Sequence, residues 1–189
     1  MSCPLCADTR PARHEVHVHG SDLVRCQRCG LVRVHPLPTA AEAARLYDDA
    51  YFRDPVRGYV DYVADERVFR AEFRRRLRIL RAQGARGRLL DAGCASGALL
   101  LEAKALDYEP SGLEPAPGMA RHAAKHSGCP VTAVALEDAL LPPAAYDVVT
   151  LLDVLEHLPD PLPVLRRLRQ TLAPGGTFAV SVPDYGGQW

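Results

Sequence analysis

The stretch Leu89 to Leu101, L-L-D-A-G-C-A-S-G-A-L-L-L, runs a short strand of buried type through one acid, Asp91, into a turn of small residues that opens a helix. Such a turn suits a nucleotide cofactor. Gly93 and Gly97 remove side chains where the backbone must bend sharply and approach a ligand, and the first N–H groups of the following helix are left for an acceptor. Dinucleotide enzymes use a similar turn, so this stretch alone leaves the nucleotide open. Cys94, set among small residues and apart from the paired thiols, reads as a packed side chain rather than a nucleophile. The paired thiols are Cys3-x-x-Cys6 and Cys26-x-x-Cys29, separated by nineteen residues. That spacing suits four thiolates around one structural zinc, with Gly30 freeing the second turn. A closed shell has no open position, so the zinc shapes its module and takes no part in catalysis. An iron site, an empty site and a redox dithiol are the alternatives.

Acids extend the first constellation. Glu114 closes the second strand, twenty-three residues beyond Asp91, where a carboxylate can accept both hydroxyls of a ribose; a charge at a helix start is the bland reading. Glu137 and Asp138 follow the third strand and can address an adenine amino group. The fourth strand, Y-D-V-V-T-L-L-D-V-L-E-H-L, brings Asp153, Glu156 and His157 to the carboxyl edge of a sheet. His157 there can remove a proton from a substrate, or simply order a turn. His14, His17 and His19 lie between the cysteine pairs and invite a metal reading, but Val16 and Val18 alternate with His17 and His19, which predicts a strand with a polar and an apolar face instead. His122 and His126 lie one helical turn apart with no third ligand nearby, and are expected on a solvated face.

The elements that must position these residues are legible from periodicity. Strands are expected at Arg88 to Ala92, Pro110 to Glu114, Val131 to Leu136, Tyr146 to Asp153 and Thr177 to Val182. Helices are expected near Gly97 to Leu106, Pro117 to Ser127 and Pro161 to Leu172, the last capped by Asp160 and ended by Pro174-Gly175-Gly176. This alternation predicts an α/β fold, a parallel sheet covered by helices on both faces. Upstream, Thr39 reads as an N-cap for a helix from Ala41 to Asp48, and a longer amphipathic helix is expected from Tyr59 to Gln83. Three regions result: a zinc-binding module at 1–37, linker or lid helices at 38–87, and a cofactor-binding core at 88–189.

Composition narrows the partners. The 189 residues carry no net charge, which argues against a nucleic-acid or membrane partner. Arg53 to Arg88 holds eleven Arg against five acids, a solvated face by default or a stripe that attracts an anionic substrate. No basic-then-apolar leader and no run of about 20 apolar residues stands in the chain, so a cytoplasmic enzyme is the expectation.

In register, L-L-D-A-G-C-A-S-G, G-L-E-P, L-E-D, Y-D-V-V-T-L-L-D-V-L-E-H-L-P-D-P and L-A-P-G-G-T-F-A-V-S-V-P resemble the class I S-adenosylmethionine-dependent methyltransferases. More narrowly, the chain is similar to the bacterial small-molecule branch that carries an N-terminal four-cysteine zinc module, some of whose members methylate sugars or quinol-like compounds. The resemblance runs from Cys3 to Pro183. It implies a Rossmann-like sheet and S-adenosylmethionine as cofactor. Asp91, Gly93 and Gly97, with Cys94 and Ala95 in the same turn, would then surround the methionine part. Glu114 would hold the ribose, Glu137 or Asp138 with the backbone of Leu136 would face adenine, and Asp153 would lie near the methionine end.

Two departures stand out. Ala95 occupies the place of a second turn glycine, and the chain stops just after the fifth strand, where the family's sheet adds an antiparallel pair. The expected reaction is in-line transfer of a methyl group to an oxygen, nitrogen or carbon of a small-molecule acceptor. His157, Glu156, or Asp184 with Tyr185 would serve as base, and the aromatics of Tyr47 to Phe52 and Tyr59 to Tyr62 as a lid or as packing. Three rivals remain at this level. An RNA methyltransferase would use Arg74-Arg75-Arg76 for phosphates, a nicotinamide oxidoreductase would rest on the Gly turn with Glu114, and a non-catalytic module would only bind the cofactor.

Overall fold

In a computed structural model, residues 2–18, 20–39, 42 and 66–186 are described. Strands β1 (Arg13–Val18), β2 (Ser21–Arg25) and β3 (Val32–His35) form an antiparallel sheet in the order β1-β2-β3. Helix α1 (Glu66–Ala82) leads into β4 (Gly87–Ala92), α2 (Ala98–Lys104), β5 (Tyr108–Glu114), α3 (Pro117–Ser127) and β6 (Val131–Ala133). Strand β7 (Tyr146–Leu152), a 3-10 turn at Leu155–His157, α4 (Pro161–Thr171) and β8 (Leu172–Ser181) complete the described chain. The second sheet is parallel, in the order β6-β5-β4-β7-β8. Strand order reverses at β4, the place in an open α/β sheet where the carboxyl ends of the strands leave a crevice.

The short apolar runs of β4 and β7 alternate between two buried faces. Leu89 and Val148 pack with Leu77 of α1 and Leu99 and Ala103 of α2, while Leu90, Val149 and Leu151 pack with Val164 and Leu168 of α4. Helix α1 is fastened to α2 by charge as well. Glu102 of α2 is fully buried, and Arg70 Nε (2.6 Å) and Arg74 Nε (2.5 Å) donate to its two oxygens. Burial pushes the carboxyl upward, but the two guanidiniums outweigh it and hold the group below its ordinary range. Three further arginines of this helix are also engaged. Arg75 and Arg76 both donate to Glu72, and Arg81 reaches the Leu106 carbonyl.

Several expected boundaries move for identifiable reasons. Strand β8 begins at Leu172 rather than Thr177: Leu172 leaves α4 already extended and pairs with Tyr146, so Pro174-Gly175-Gly176 forms an irregularity inside the strand rather than a gap before it. A Cβ at Gly176 would lie 3.0 Å from the Asp147 carbonyl, which explains the glycine. Strand β6 stops at Ala133, because the chain then folds back with Asp138 N–H on the Ala135 carbonyl and Leu136 turned into the core. Asp160 stands at the N-cap position of α4 without a side-chain cap.

Thr39 and Glu42 form a reciprocal capping box, with Thr39 N to Glu42 Oε2 at 2.8 Å and Glu42 N to Thr39 Oγ1 at 3.3 Å. The rest of the helix expected at Ala41 to Asp48, the aromatics Tyr47 to Phe52 and Tyr59 to Tyr62, and His19 lie outside the described residues. No helix among the described residues is long and apolar enough to cross a membrane.

Candidate functional site

Register determines which side chains meet. Asp91 pairs with Gly112 of β5 on one side and Thr150 of β7 on the other, so all three share a face, and Glu114 lies on that face two residues beyond Gly112. Thr150 Oγ1 donates to Asp91 Oδ1 at 2.7 Å. Asp91 is only 4% exposed, and burial pushes its carboxyl up to about 7 against the pull of the Thr150 hydrogen bond, with the charge of Glu114 adding to the rise. Glu114 is equally enclosed. Its Oε2 accepts from Ala95 N–H and its Oε1 from Ala116 N–H, both at 3.0 Å, which takes two of the about four acceptor positions of a carboxylate. One acid thus ties the turn after β4 to the turn after β5.

The turn itself is drawn over β5. Gly93 N–H and Cys94 N–H both donate to the Leu113 carbonyl at 2.9 Å, and Gly97 N–H donates back to the Cys94 carbonyl at 2.8 Å. Gly93 has φ +90° and packs against Val154, so an added Cβ would lie 2.6 Å from a Val154 methyl. Gly97 has φ +80° and lies against the backbone of Ala123. Ala95, which occupies the place of a second glycine, also adopts a left-handed conformation at φ +42°. Cys94 packs onto Gly112 with Leu100, Ala123 and Cys129, as a packed side chain should, and burial pushes its thiol far above the ordinary range.

The segment after β7 lies against this turn through Val154. Asp153 stands left-handed at φ +57°, which ends the strand one residue earlier than expected, and its N–H donates to the Ser181 carbonyl at 3.0 Å. Ser181 Oγ donates to Asp153 Oδ1 at 3.0 Å and accepts from Arg76 Nη1 at 3.0 Å, and Arg76 Nη1 lies 3.5 Å from Asp153 Oδ2. The sequence offers Arg76 only within the Arg74-Arg75-Arg76 cluster for RNA phosphates, because only the docking of α1 brings it to the carboxyl edge. His157 is half-buried and Glu156 is an exposed residue whose side chain is 26% exposed, with His157 Nε2 at 4.0 Å from Glu156 Oε1. Burial holds the His157 imidazole below its ordinary range against the pull of Asp153, and raises the Glu156 carboxyl. Asp184 caps Gly186 N–H, and Tyr185 lies under the Arg25 guanidinium at 5.5 Å, on the side of the small module.

On the far side, Leu136 is buried while the side chains of Glu137 and Asp138 are exposed. Val134 N–H donates to the Glu114 carbonyl at 3.2 Å, joining this loop to the end of β5. Arg167 of α4 donates to the carbonyls of Leu136, Glu137 and Ala139.

In the small module the sulfurs of Cys3, Cys6, Cys26 and Cys29 lie within 4.8 Å of one another, with Cys3–Cys29 at 3.7 Å and Cys6–Cys26 at 3.6 Å. A tetrahedral ion about 2.3 Å from each sulfur would hold them about 3.8 Å apart, so the four thiols fit a metal. The N–H groups of Cys29 and Arg28 pull the Cys26 thiol down to about 6, while burial and the neighbouring sulfurs push those of Cys6 and Cys29 up. His14 and His17 are exposed, as expected, and a bulge at Glu15 turns both toward Asp22. The pair His122 and His126 departs from the expectation of a solvated face. His126 Nε2 meets Glu66 Oε1 of α1 at 2.7 Å, and His122 stacks on His126 with its Nε2 buried, because α1 covers this side of α3.

Residues 64–189 match a family model described as a methyltransferase domain. The chain is 39% identical over 101 residues to a ubiquinone biosynthesis O-methyltransferase of Xanthomonas campestris, covering 50% of this chain and 42% of that protein. It is 39% identical over 99 residues to a trans-aconitate 2-methyltransferase of Methylobacterium radiotolerans, covering 50% and 37%. The chain thus spans less than half the length of these curated relatives. The crystal structure of the PH0226 protein from Pyrococcus horikoshii superposes with a TM-score of 0.60 at 25% identity, covering 72% of this chain and 63% of that one. With its glycine turn, its paired strand-end acids and the family match over the whole parallel sheet, the chain belongs to the S-adenosylmethionine-dependent methyltransferase family.

Proposed function

We propose that the carboxyl edge of the parallel sheet binds S-adenosylmethionine and that the protein methylates a small-molecule acceptor at oxygen, nitrogen or carbon. The observation that carries this reading is the pair of buried acids, Asp91 and Glu114, on one face at the ends of adjacent parallel strands, with the Gly93–Gly97 turn drawn between them. Carboxylates suit the donors of an adenosyl amino acid, namely ribose hydroxyls at Glu114 and an ammonium at Asp91. Arg76 beside Asp153 suits the carboxylate at the same end. When bound, the cofactor supplies a methyl group on a positively charged sulfur, already activated for displacement.

The chain's own contribution is then to hold two reactants in line, which in well-oriented systems lowers a barrier by roughly 7–11 kcal/mol. His157, kept neutral at pH 7 by burial, is the residue suited to accept a proton from the acceptor at Nε2, with Glu156 beside it. The named substrates of the two relatives, a compound of ubiquinone biosynthesis and trans-aconitate, are small molecules, which favours an acceptor of that class. The arginines expected to serve RNA phosphates are instead paired, Arg74 with Glu102 and both Arg75 and Arg76 with Glu72. In the small module we infer a structural zinc on Cys3, Cys6, Cys26 and Cys29, with no part in the transfer.

Incubating the protein with S-adenosylmethionine labelled in the methyl group, against fractionated metabolites and an RNA pool in parallel, tests the reading. Label is expected in a small-molecule fraction and absent from RNA; label in RNA alone would overturn the choice of acceptor. If His157 is the base, kcat/KM rises with pH to a plateau with its midpoint below 6.5, and His157→Gln removes that limb.

A further inference from the structure

The geometry points to Arg167, outside the glycine turn and the strand-end acids, as the residue that positions the loop reading the cofactor's base. This inference rests on the proposed S-adenosylmethionine site. Arg167 Nη1 lies 3.0 Å from the Leu136 carbonyl, 2.5 Å from that of Glu137 and 3.3 Å from that of Ala139, so its two hydrogens are shared among three acceptors of one short loop. The loop has little else of regular structure to hold it. Strand β6 ends at Ala133, and the loop makes one internal turn, Asp138 N–H to the Ala135 carbonyl, and one tie to the end of β5, Val134 N–H to the Glu114 carbonyl. Leu136 and Ala139 are buried in the core cluster that contains Leu168 of α4, while Glu137 and Asp138 between them face outward.

Peptide planarity turns this clamp into a statement about recognition. The C=O of Leu136 and the N–H of Glu137 belong to one planar trans peptide and point in opposite directions. Drawing the Leu136 carbonyl onto Arg167 therefore aims the Glu137 N–H away from α4. A donor N–H beside an outward carboxylate, Glu137 or Asp138, is complementary to the edge of adenine, which offers an acceptor ring nitrogen next to a donor amino group. Hypoxanthine reverses both: its ring nitrogen carries a hydrogen and its exocyclic group is an acceptor. A fixed donor–acceptor pair rejects such an isostere, because the mismatch leaves the groups covered by the bound base unpaired. Without Arg167 the carbonyls are free to rotate and the pair loses its orientation. Lysine would replace it only in part, since its ammonium ends a stem one bond shorter than the Nη1 that meets all three carbonyls.

Calorimetric titration of the full chain with S-adenosylhomocysteine and with S-inosylhomocysteine, for wild type, Arg167→Gln and Arg167→Lys, tests the inference. Wild type is expected to bind the adenosyl compound at least tenfold more tightly than the inosyl compound. Arg167→Gln should bring that ratio to within about twofold of unity, with the loss falling on the adenosyl compound, and Arg167→Lys should give an intermediate ratio. A purely structural role would weaken both ligands alike and leave the ratio intact. A ratio preserved in both variants overturns the inference whatever happens to the absolute affinities, and so does a wild type that binds both ligands equally. If Arg167→Gln fails to fold, the lysine variant alone decides by the same criterion. Absence of any S-adenosylhomocysteine binding by wild type would instead refute the cofactor reading beneath it.

Discussion

Among the described residues, those of the antiparallel module bury three apolar side chains, Cys3, Val24 and Cys26, two of them cysteines, and leave Val16, Val18 and Val34 substantially exposed. The parallel sheet and its helices bury Leu77, Leu89, Leu90, Leu100, Leu151 and Leu168 almost completely, together with the polar groups of Asp91, Thr150, Glu114 and Glu102. The proposed ion would hold the first region, whereas packing holds the second. A module with so small a core has little to offset chain entropy without a cross-link. A large core can instead carry the cost of enclosing two carboxylates at one edge, where we propose the site.

The comparison breaks most visibly on metal removal. Structural zinc in small domains contributes about 10–16 kcal/mol of folding free energy, so chelation or Cys26→Ser should abolish hydrogen-exchange protection in β1 to β3 and leave that of β4 and β7 unchanged. Equal loss in both sheets would show that they are one cooperative unit. Asp91→Asn probes the second region. The folded carboxyl lies at about 7, above its ordinary 3.8, so the stability it confers is full below about pH 4 and is lost as pH rises through about 7. The asparagine should therefore raise the thermal stability of the ligand-free protein at pH 8, by on the order of 2–4 kcal/mol, while cofactor affinity falls.

Gly93→Ala should cost about 2–3 kcal/mol through its positive φ and the collision with Val154, readable as a lower denaturant midpoint. Ala95→Gly, which relieves φ +42°, should change stability by no more than about 1 kcal/mol and preserve ligand binding.

Legibility in the sequence followed the range of the interaction. Strand and helix identity in the parallel sheet came through because period and turn chemistry are local: Pro117 at the start of α3 and left-handed Gly128 at its end mark their own helix. The strand-end acids were legible because chain spacing and strand ends agree. Arg76 and Arg167 were not, since each reaches its partners across more than twenty-five residues through the docking of a helix, and an arginine-rich segment looks alike whether its side chains are solvated or clamped. The sequence makes His126 look solvated for the same reason, its partner Glu66 lying sixty residues away. The start of β8 was misplaced because Pro-Gly-Gly, an ordinary helix stop, here serves a bulge inside a strand.

The central claim is that Asp91, Glu114 and the turn between them form a sulfonium-cofactor site. Titration calorimetry of wild type and Glu114→Ala with S-adenosylhomocysteine and with NADH tests it most directly. Wild type should bind S-adenosylhomocysteine at one equivalent and not NADH, and Glu114→Ala should lose that binding while remaining folded. Saturable NADH binding without S-adenosylhomocysteine binding, or a Glu114→Ala variant with undiminished affinity, would contradict the account.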